Sequence, residues 1–183
     1  VSNNRFKPLQ RWLILFGCAG GVLFIDQAAK AWVVSNIPLG MSSFPIPALS
    51  DYFALTTSQN RGAAFSLLPQ AADIFLIIAI VMLFVIPYFY RRLPDGHLAE
   101  RIALGMLLGG VAGNALDRLR LGYVVDFVHL QFRPFISNVS NLADHAIVLS
   151  IAILFIVGMF EKRPVPQPPP AADPVDSSSQ NEG

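Results

Sequence analysis

The residues in this sequence best suited to chemistry are carboxylates in unusual company. Asp126 lies between Val125 and Phe127, Asp144 closes the run Asn141-Leu142-Ala143-Asp144, and neither has a Lys or Arg beside it. Two carboxyl groups held close together in a poorly hydrated place cannot both ionise easily, so one keeps a proton and the other is a base. The ionised member can take a proton from water as that water attacks a peptide carbonyl. The protonated member stabilises the developing oxyanion and supplies a proton to the leaving amine. That is the chemistry of an aspartic protease dyad, and it calls for no metal and no cofactor. Two further acids have basic neighbours, Asp26 with Lys30 and Asp117 with Arg118. Such pairs more often hold helices together than react, and they read first as architecture. Competing chemistries lack their parts: the chain has no His-Glu-x-x-His and no Gly-x-Ser-x-Gly. His97, His129 and His145 read as scattered polar residues.

The elements that must carry these acids are membrane spans. Apolar residues make up 54% of the chain and charged ones 14%, where soluble domains carry about 25% charged residues. Four runs, 12–34, 72–90, 102–121 and 141–160, are each long enough to cross a bilayer core of about 30 Å. Only the second is clean, with no charge from Ile74 to Tyr90. An ionisable group inside a span costs at least about 2.5 to 3.5 kcal/mol, which makes each one a functional candidate. Counted by helical rise from the nearest charge at the other end, Asp26, Asp117 and Asp144 lie about 22, 24 and 26 Å along three different spans. Three helices therefore deliver a carboxylate to one level, and Asp126, just beyond the third span, reaches it too. Asn114 shares a helix face with Asp117 and Arg118, and Asn141 with Asp144 and His145. Gly105, Gly109 and Gly113 form small-xxx-small steps that read as close helix packing, and Cys18 reads as a small packing residue.

Loop charge sets the orientation, because Lys and Arg near helix ends stay on the cytoplasmic side. Arg5, Lys7 and Arg11, then Arg91, Arg92 and Arg101, then Lys162 and Arg163 share one side. Both termini are thus expected in the cytoplasm, with 1–11 as the N-terminal stretch, and segments 36–70 and 122–140 on the periplasmic side. The Pro- and Ser-rich stretch 161–183 is expected to be a disordered cytoplasmic tail. Segment 36–70, with its prolines and short apolar pieces, suggests small strands. A net charge of +1 gives no field for holding nucleic acid, and a single cysteine excludes a disulfide scaffold. The sequence Leu15-Phe16-Gly17-Cys18 looks like a lipoprotein cleavage site, but Trp12 to Phe16 is too short for a signal-peptide core of about 7 to 15 residues.

At its polar residues the chain resembles the bacterial lipoprotein signal peptidases, or signal peptidase II. The resemblance runs from about residue 12 to 160. It rests on Asp26-Gln27-Ala28-Ala29-Lys30, Asn60-Arg61-Gly62-Ala63-Ala64-Phe65-Ser66, Gly109 through Asn114 to Asp117-Arg118, Val124-Val125-Asp126-Phe127 and Asn141-Leu142-Ala143-Asp144, five blocks in family order. It implies an all-α polytopic protein of four transmembrane helices with a small periplasmic β-containing cradle between helices 1 and 2, and a short surface helix carrying the Asn60 block. It implies a bacterial inner-membrane aspartic endopeptidase, acting as a monomer, that cuts diacylglyceryl-modified prolipoproteins just before the lipidated cysteine. Globomycin sensitivity is implied as well. The family's catalytic aspartates carry over to Asp126 and Asp144, and substrate-binding or dyad-supporting positions to Asp26, Lys30, Asn60, Gly62, Asn114, Asp117, Arg118 and Asn141. The chain departs from the family pattern at Ser140, where Phe is common, and at Ala29, where Thr or Ser is. An ion-coupled transporter is the alternative reading of intramembrane carboxylates, but it needs a pathway to both sides, whereas these polar residues gather at one end. A membrane scaffold held by polar helix faces is the non-enzymatic alternative.

Overall fold

A computed structural model describes residues 7–62, 71–132 and 136–160. The 161–183 tail, Ala63 to Ser66 of the second block and Arg5 lie outside the described residues. Among those described, four helices are long and apolar enough to cross a membrane: α1 (Pro8–Asn36), α2 (Ala71–Tyr90), α3 (Leu98–Leu121) and α4 (Leu142–Phe160). The shortest, α4, has 19 residues and rises about 28 Å.

Local sequence sets the ends of these helices. Pro8 opens α1, where a missing N–H costs nothing, and the Lys7 N–H donates to Gln10 Oε1 at 2.9 Å. Pro38 stops the same helix by forcing Ile37 into an extended conformation, φ −124° and ψ 113°. Gly122, at φ +75°, closes α3 by donating its N–H to the Arg118 carbonyl. The first and third helices each begin four residues before the expected span, which draws Arg11 and Arg101 into helix. Arg101 is fully buried rather than a free loop charge. Its Nη2 donates to the Leu93 and Pro94 carbonyls, both at 2.9 Å, and its guanidinium stands 5.1 Å from the Tyr90 ring centre. With the Arg11–Asp95 ion pair and the Tyr90 hydroxyl donating to the Arg11 carbonyl, it ties three helix ends together.

Helix α3 is the hub. Half of its apolar window is buried, against 11 to 17% in the other three helices. Glycines permit this approach: a Cβ on Gly105 would fall 2.6 Å from Cys18 Cβ, on Gly109 2.5 Å from the Ala19 oxygen, and on Gly110 2.6 Å from the Ala143 oxygen. The first two face α1 and the third faces α4. Gly113 does something different, backing onto Asp26, whose Oδ2 would lie 2.8 Å from an added Cβ.

Outside the helices, the described residues form a four-stranded antiparallel sheet in the order β1-β2-β3-β4. Strands β1 (Ser42–Ser43) and β2 (Phe53–Asn60) come from the connection between α1 and α2. Strands β3 (Val124–Phe132) and β4 (Ile136–Ser140) come from that between α3 and α4. The expected cradle is thus built from two connections, not only from that between helices 1 and 2. Of the block expected on a surface helix, Asn60 itself is corrected, since it ends β2, paired with Val124; Ala63 to Ser66 of that block lie outside the described residues. Between Leu55, opposite Val128, and Ser58, opposite Asp126, β2 places two residues against one of β3. This bulge re-aims the end of β2 and sets Ser58 and Asn60 on the face of Asp126.

Two apolar clusters flank a polar layer. Leu15, Ala19, Ile86, Tyr90 and Leu108 form one, and Val33, Ile37, Phe127 and Val128 the other. On α1, the residues between these clusters include Asp26 and Lys30, both buried.

Candidate active site

The polar layer has a charged half built on α1 and α3. The Lys30 ammonium lies 2.7 Å from Asp26 Oδ2 and 2.8 Å from Asp117 Oδ2. All three residues are almost completely buried, so the desolvation of each charge is offset only by its partners. The remaining oxygens are also used. Asp26 Oδ1 accepts the Ala143 N–H at 2.9 Å, which holds an anion at the N-terminus of α4. Asp117 Oδ1 accepts from Gln27 Nε2 at 2.8 Å, and its Oδ2 from the Val125 N–H at 3.1 Å. Asp117 therefore fixes the start of β3 through Val125, one residue before Asp126.

The second half uses amides in place of cations. Asn141 precedes α4 as its cap: its Oδ1 accepts the Asp144 N–H at 2.8 Å, while its Nδ2 donates to Asp126 Oδ1 at 2.6 Å. One fully buried side chain thus holds both acids that sequence reasoning singled out. Asn60 Nδ2 donates to Asp126 Oδ2 at 2.9 Å, and Asn114 Nδ2 to Asp144 Oδ1 at 2.7 Å. Asn114 Oδ1 in turn accepts from Lys30 at 3.3 Å, joining the two halves. Gly62 explains the orientation of Asn60. Its N–H donates to Asn60 Oδ1 at 2.8 Å, which turns the amide nitrogen toward Asp126, and its φ of +91° is one that a side chain would strain.

Burial pushes the Asp126 carboxyl up from the ordinary 3.8 to about 6, and the Asp144 charge acts in the same direction. The Asn60 and Asn141 hydrogen bonds and the Lys30 charge oppose the shift without cancelling it. Asp126 opens onto a cavity of about 440 Å³, walled by Ser58, Asn60 and Gly62 on one side and by Phe75 and Arg118 on another. The Arg118 guanidinium sits 5.4 Å from the Phe75 ring centre and donates from Nη1 to the Asn114 carbonyl at 3.3 Å. The described residues bring no three His, Cys, Asp or Glu side chains into a metal-binding grouping.

All ten residues singled out from sequence converge here, Asp26, Lys30 and Asp117 as the charged half, and Asn60, Gly62, Asn114, Arg118 and Asn141 around Asp126 and Asp144. Sequence reasoning missed Gln27, although its place directly after Asp26 and its amide were visible. It also missed the Val125 N–H, a backbone group that no side-chain pattern announces. The Ser140 departure acquires a partner, with Ser140 Oγ 3.2 Å from His145 Nε2. His129 stands apart in a ladder of side chains, bonded to Thr56 Oγ1 at 3.0 Å and Ser137 Oγ at 2.9 Å.

The model of the family described as signal peptidase (SPase) II matches residues 18–160. The lipoprotein signal peptidase of Moorella thermoacetica is 41% identical over 133 residues, covering 73% of this chain and 84% of its own. That of Desulfitobacterium hafniense is 37% identical over 151 residues, covering 82% and 96%. Among solved structures, a bacterial membrane enzyme determined in meso at 1.9 Å superposes with a TM-score of 0.75 at 25% identity, covering 88% of this chain and all of that one. With more than half of its length matched by the family model and two thirds or more by curated relatives, the chain belongs to the signal peptidase II family, multi-pass membrane proteases that remove signal peptides from lipoproteins.

Proposed function

We propose that Asp126 and Asp144 are the catalytic pair of an aspartic endopeptidase that cuts diacylglyceryl-modified prolipoproteins just before the lipidated cysteine. The observation that carries the reading is Asn141, one amide bonded to the Asp126 carboxylate and to the Asp144 N–H. Asp126, whose burial favours the protonated form and raises its pKa to about 6, is assigned the role of acid. Asp144, at the positive end of α4, takes a proton from water as the water oxygen attacks the scissile carbonyl carbon. Asp126 donates a hydrogen bond to the developing oxyanion and passes its proton to the nitrogen as the C–N bond breaks. The proton left on Asp144 then returns to Asp126, so the pair ends as it began.

The lipid requirement follows from position. A diacylglyceryl group anchors the cleavage point at the membrane surface, the level at which the helices meet the sheet, while the apolar signal peptide stays among the spans. The Lys and Arg distribution favours both termini on the cytoplasmic side and the dyad toward the periplasm of a bacterial inner membrane. Asn114, Asn60 and Gly62 orient the dyad, and Arg118 faces the substrate in the cavity wall.

Purified protein and a diacylglyceryl-modified precursor test this reading. Asp126→Asn and Asp144→Asn should each remain folded, judged by thermal unfolding, and leave the precursor uncut. Normal cleavage by either variant would refute the assignment.

A further inference from the structure

Among the described residues, strand β4 ends the sheet, with β3 on one side and no strand on the other. Its Ser137 and Asn138 are exposed and its Val139 half-buried. All three line the cavity that contains Asp126. Successive residues of a strand point to opposite faces, so a cavity that touches three in a row reaches the strand's edge and not one face alone. Along such an edge every second residue aims its N–H and C=O outward, a template for one more strand. The edge is held at both ends, since Ser137 Oγ bonds His129 Nε2 at 2.9 Å and Ser140 Oγ reaches the Val128 carbonyl at 3.4 Å.

We infer that the stretch of substrate just after the scissile bond docks as an added strand along the outer edge of β4. The inference rests on the catalytic reading above and gives it a substrate geometry. A helical peptide bond has its carbonyl occupied by an intrahelical hydrogen bond, so the segment at the dyad must be extended to be attacked. The part before the cut is apolar and stays with the spans. The part after it leaves the membrane where the sheet stands, and β4 is the edge that shares a cavity with Asp126. Ser137 and Asn138 are small polar side chains, so recognition comes from main-chain hydrogen bonds. Those bonds accept different mature sequences equally, provided that alternate side chains fit the cavity.

The test uses the unaltered enzyme and a series of lipidated precursors in which one backbone amide at a time after the cleavage site is replaced by an ester, which removes an N–H without adding bulk. Strand pairing predicts an alternating pattern in kcat/KM, about a fivefold fall at every second position, the effect of one hydrogen bond, and little change between. A flat series, or an equal fall at all positions, with the parent precursor cut normally, overturns the strand and leaves the dyad standing. A parent precursor that is not cut at all overturns both.

Discussion

The two halves of the polar layer use the same side-chain type for opposite ends. Asp26 and Asp117 share an ammonium, and their other oxygens accept N–H groups from α4, β3 and Gln27. Asp126 and Asp144, in the other half, have amides as their bonded partners, and those amides are fixed by a helix cap, a left-handed glycine and Lys30. A cation fixes the charge of a carboxylate, whereas an amide fixes its position and leaves its proton free to come and go. The first arrangement builds a wall that holds three helices and a strand in register. The second leaves a pair of acids that can trade a proton with water.

The largest effects should separate the halves cleanly. Asp126→Asn or Asp144→Asn removes a proton-transfer group and should lower cleavage by about 10²- to 10⁴-fold or more, with the unfolding temperature held or raised. Lys30→Met should act in the other direction. It leaves Asp26 and Asp117 buried and uncompensated, a loss of about 3 to 5 kcal/mol of stability, so its defect should show first as a lowered unfolding temperature in lipid or detergent. Equal stability in the two kinds of variant would erase the distinction drawn here.

Much of this contrast was legible in the sequence, because both halves rest on helical spacing. Asp26 with Lys30 and Asn114 with Asp117 are neighbours along a helix whatever surrounds them, Asn141 caps the helix that carries Asp144, and the depth of each follows from helical rise. The sheet was not legible in the same way. Val124, Val125, Phe127 and Val128 form an apolar run without strict alternation, and which strand they pair with depends on Phe53–Asn60, more than sixty residues earlier. The bulge that turns Asn60 toward Asp126 is a property of that pairing, with no local signature in either strand. Asn60 was found by resemblance to a motif, and its placement at a strand end could come only from the fold. The Val125 N–H that Asp117 accepts follows from the same register.

A smaller effect is expected at the glycine that aims Asn60. Gly62→Ala puts a Cβ on a residue at φ +91°, a strain of about 1 to 2 kcal/mol. The loop at the end of β2 can relieve it by letting go of Asn60 Oδ1. Cleavage should then fall about tenfold, mainly in kcat, while unfolding changes little, since no helix contact is lost. A change confined to the unfolding temperature would move Gly62 from the catalytic half of the comparison to the structural half.

The smallest and most specific effect concerns pH. Asp126 is raised in the folded protein, from 3.8 to about 6, so between those values the folded state binds a proton that the unfolded state has lost. Stability contributed by that proton is complete below the lower value and disappears as pH rises through the upper one. Activity that needs the protonated form declines along the same limb, near pH 6 in kcat/KM, and at higher pH in kcat if substrate displaces water from the cavity. The Asn60 hydrogen bond favours the ionised carboxylate. Asn60→Leu removes it without opening room for water, so the proton is held more firmly and the alkaline limb should move upward, by less than the wild-type shift itself. The charged half supplies the control: Gln27→Leu touches Asp117 and not Asp126, and should leave that limb where it was. A limb that moved equally in both variants would mean that the pH response belongs to the whole polar layer rather than to the acid tethered by amides.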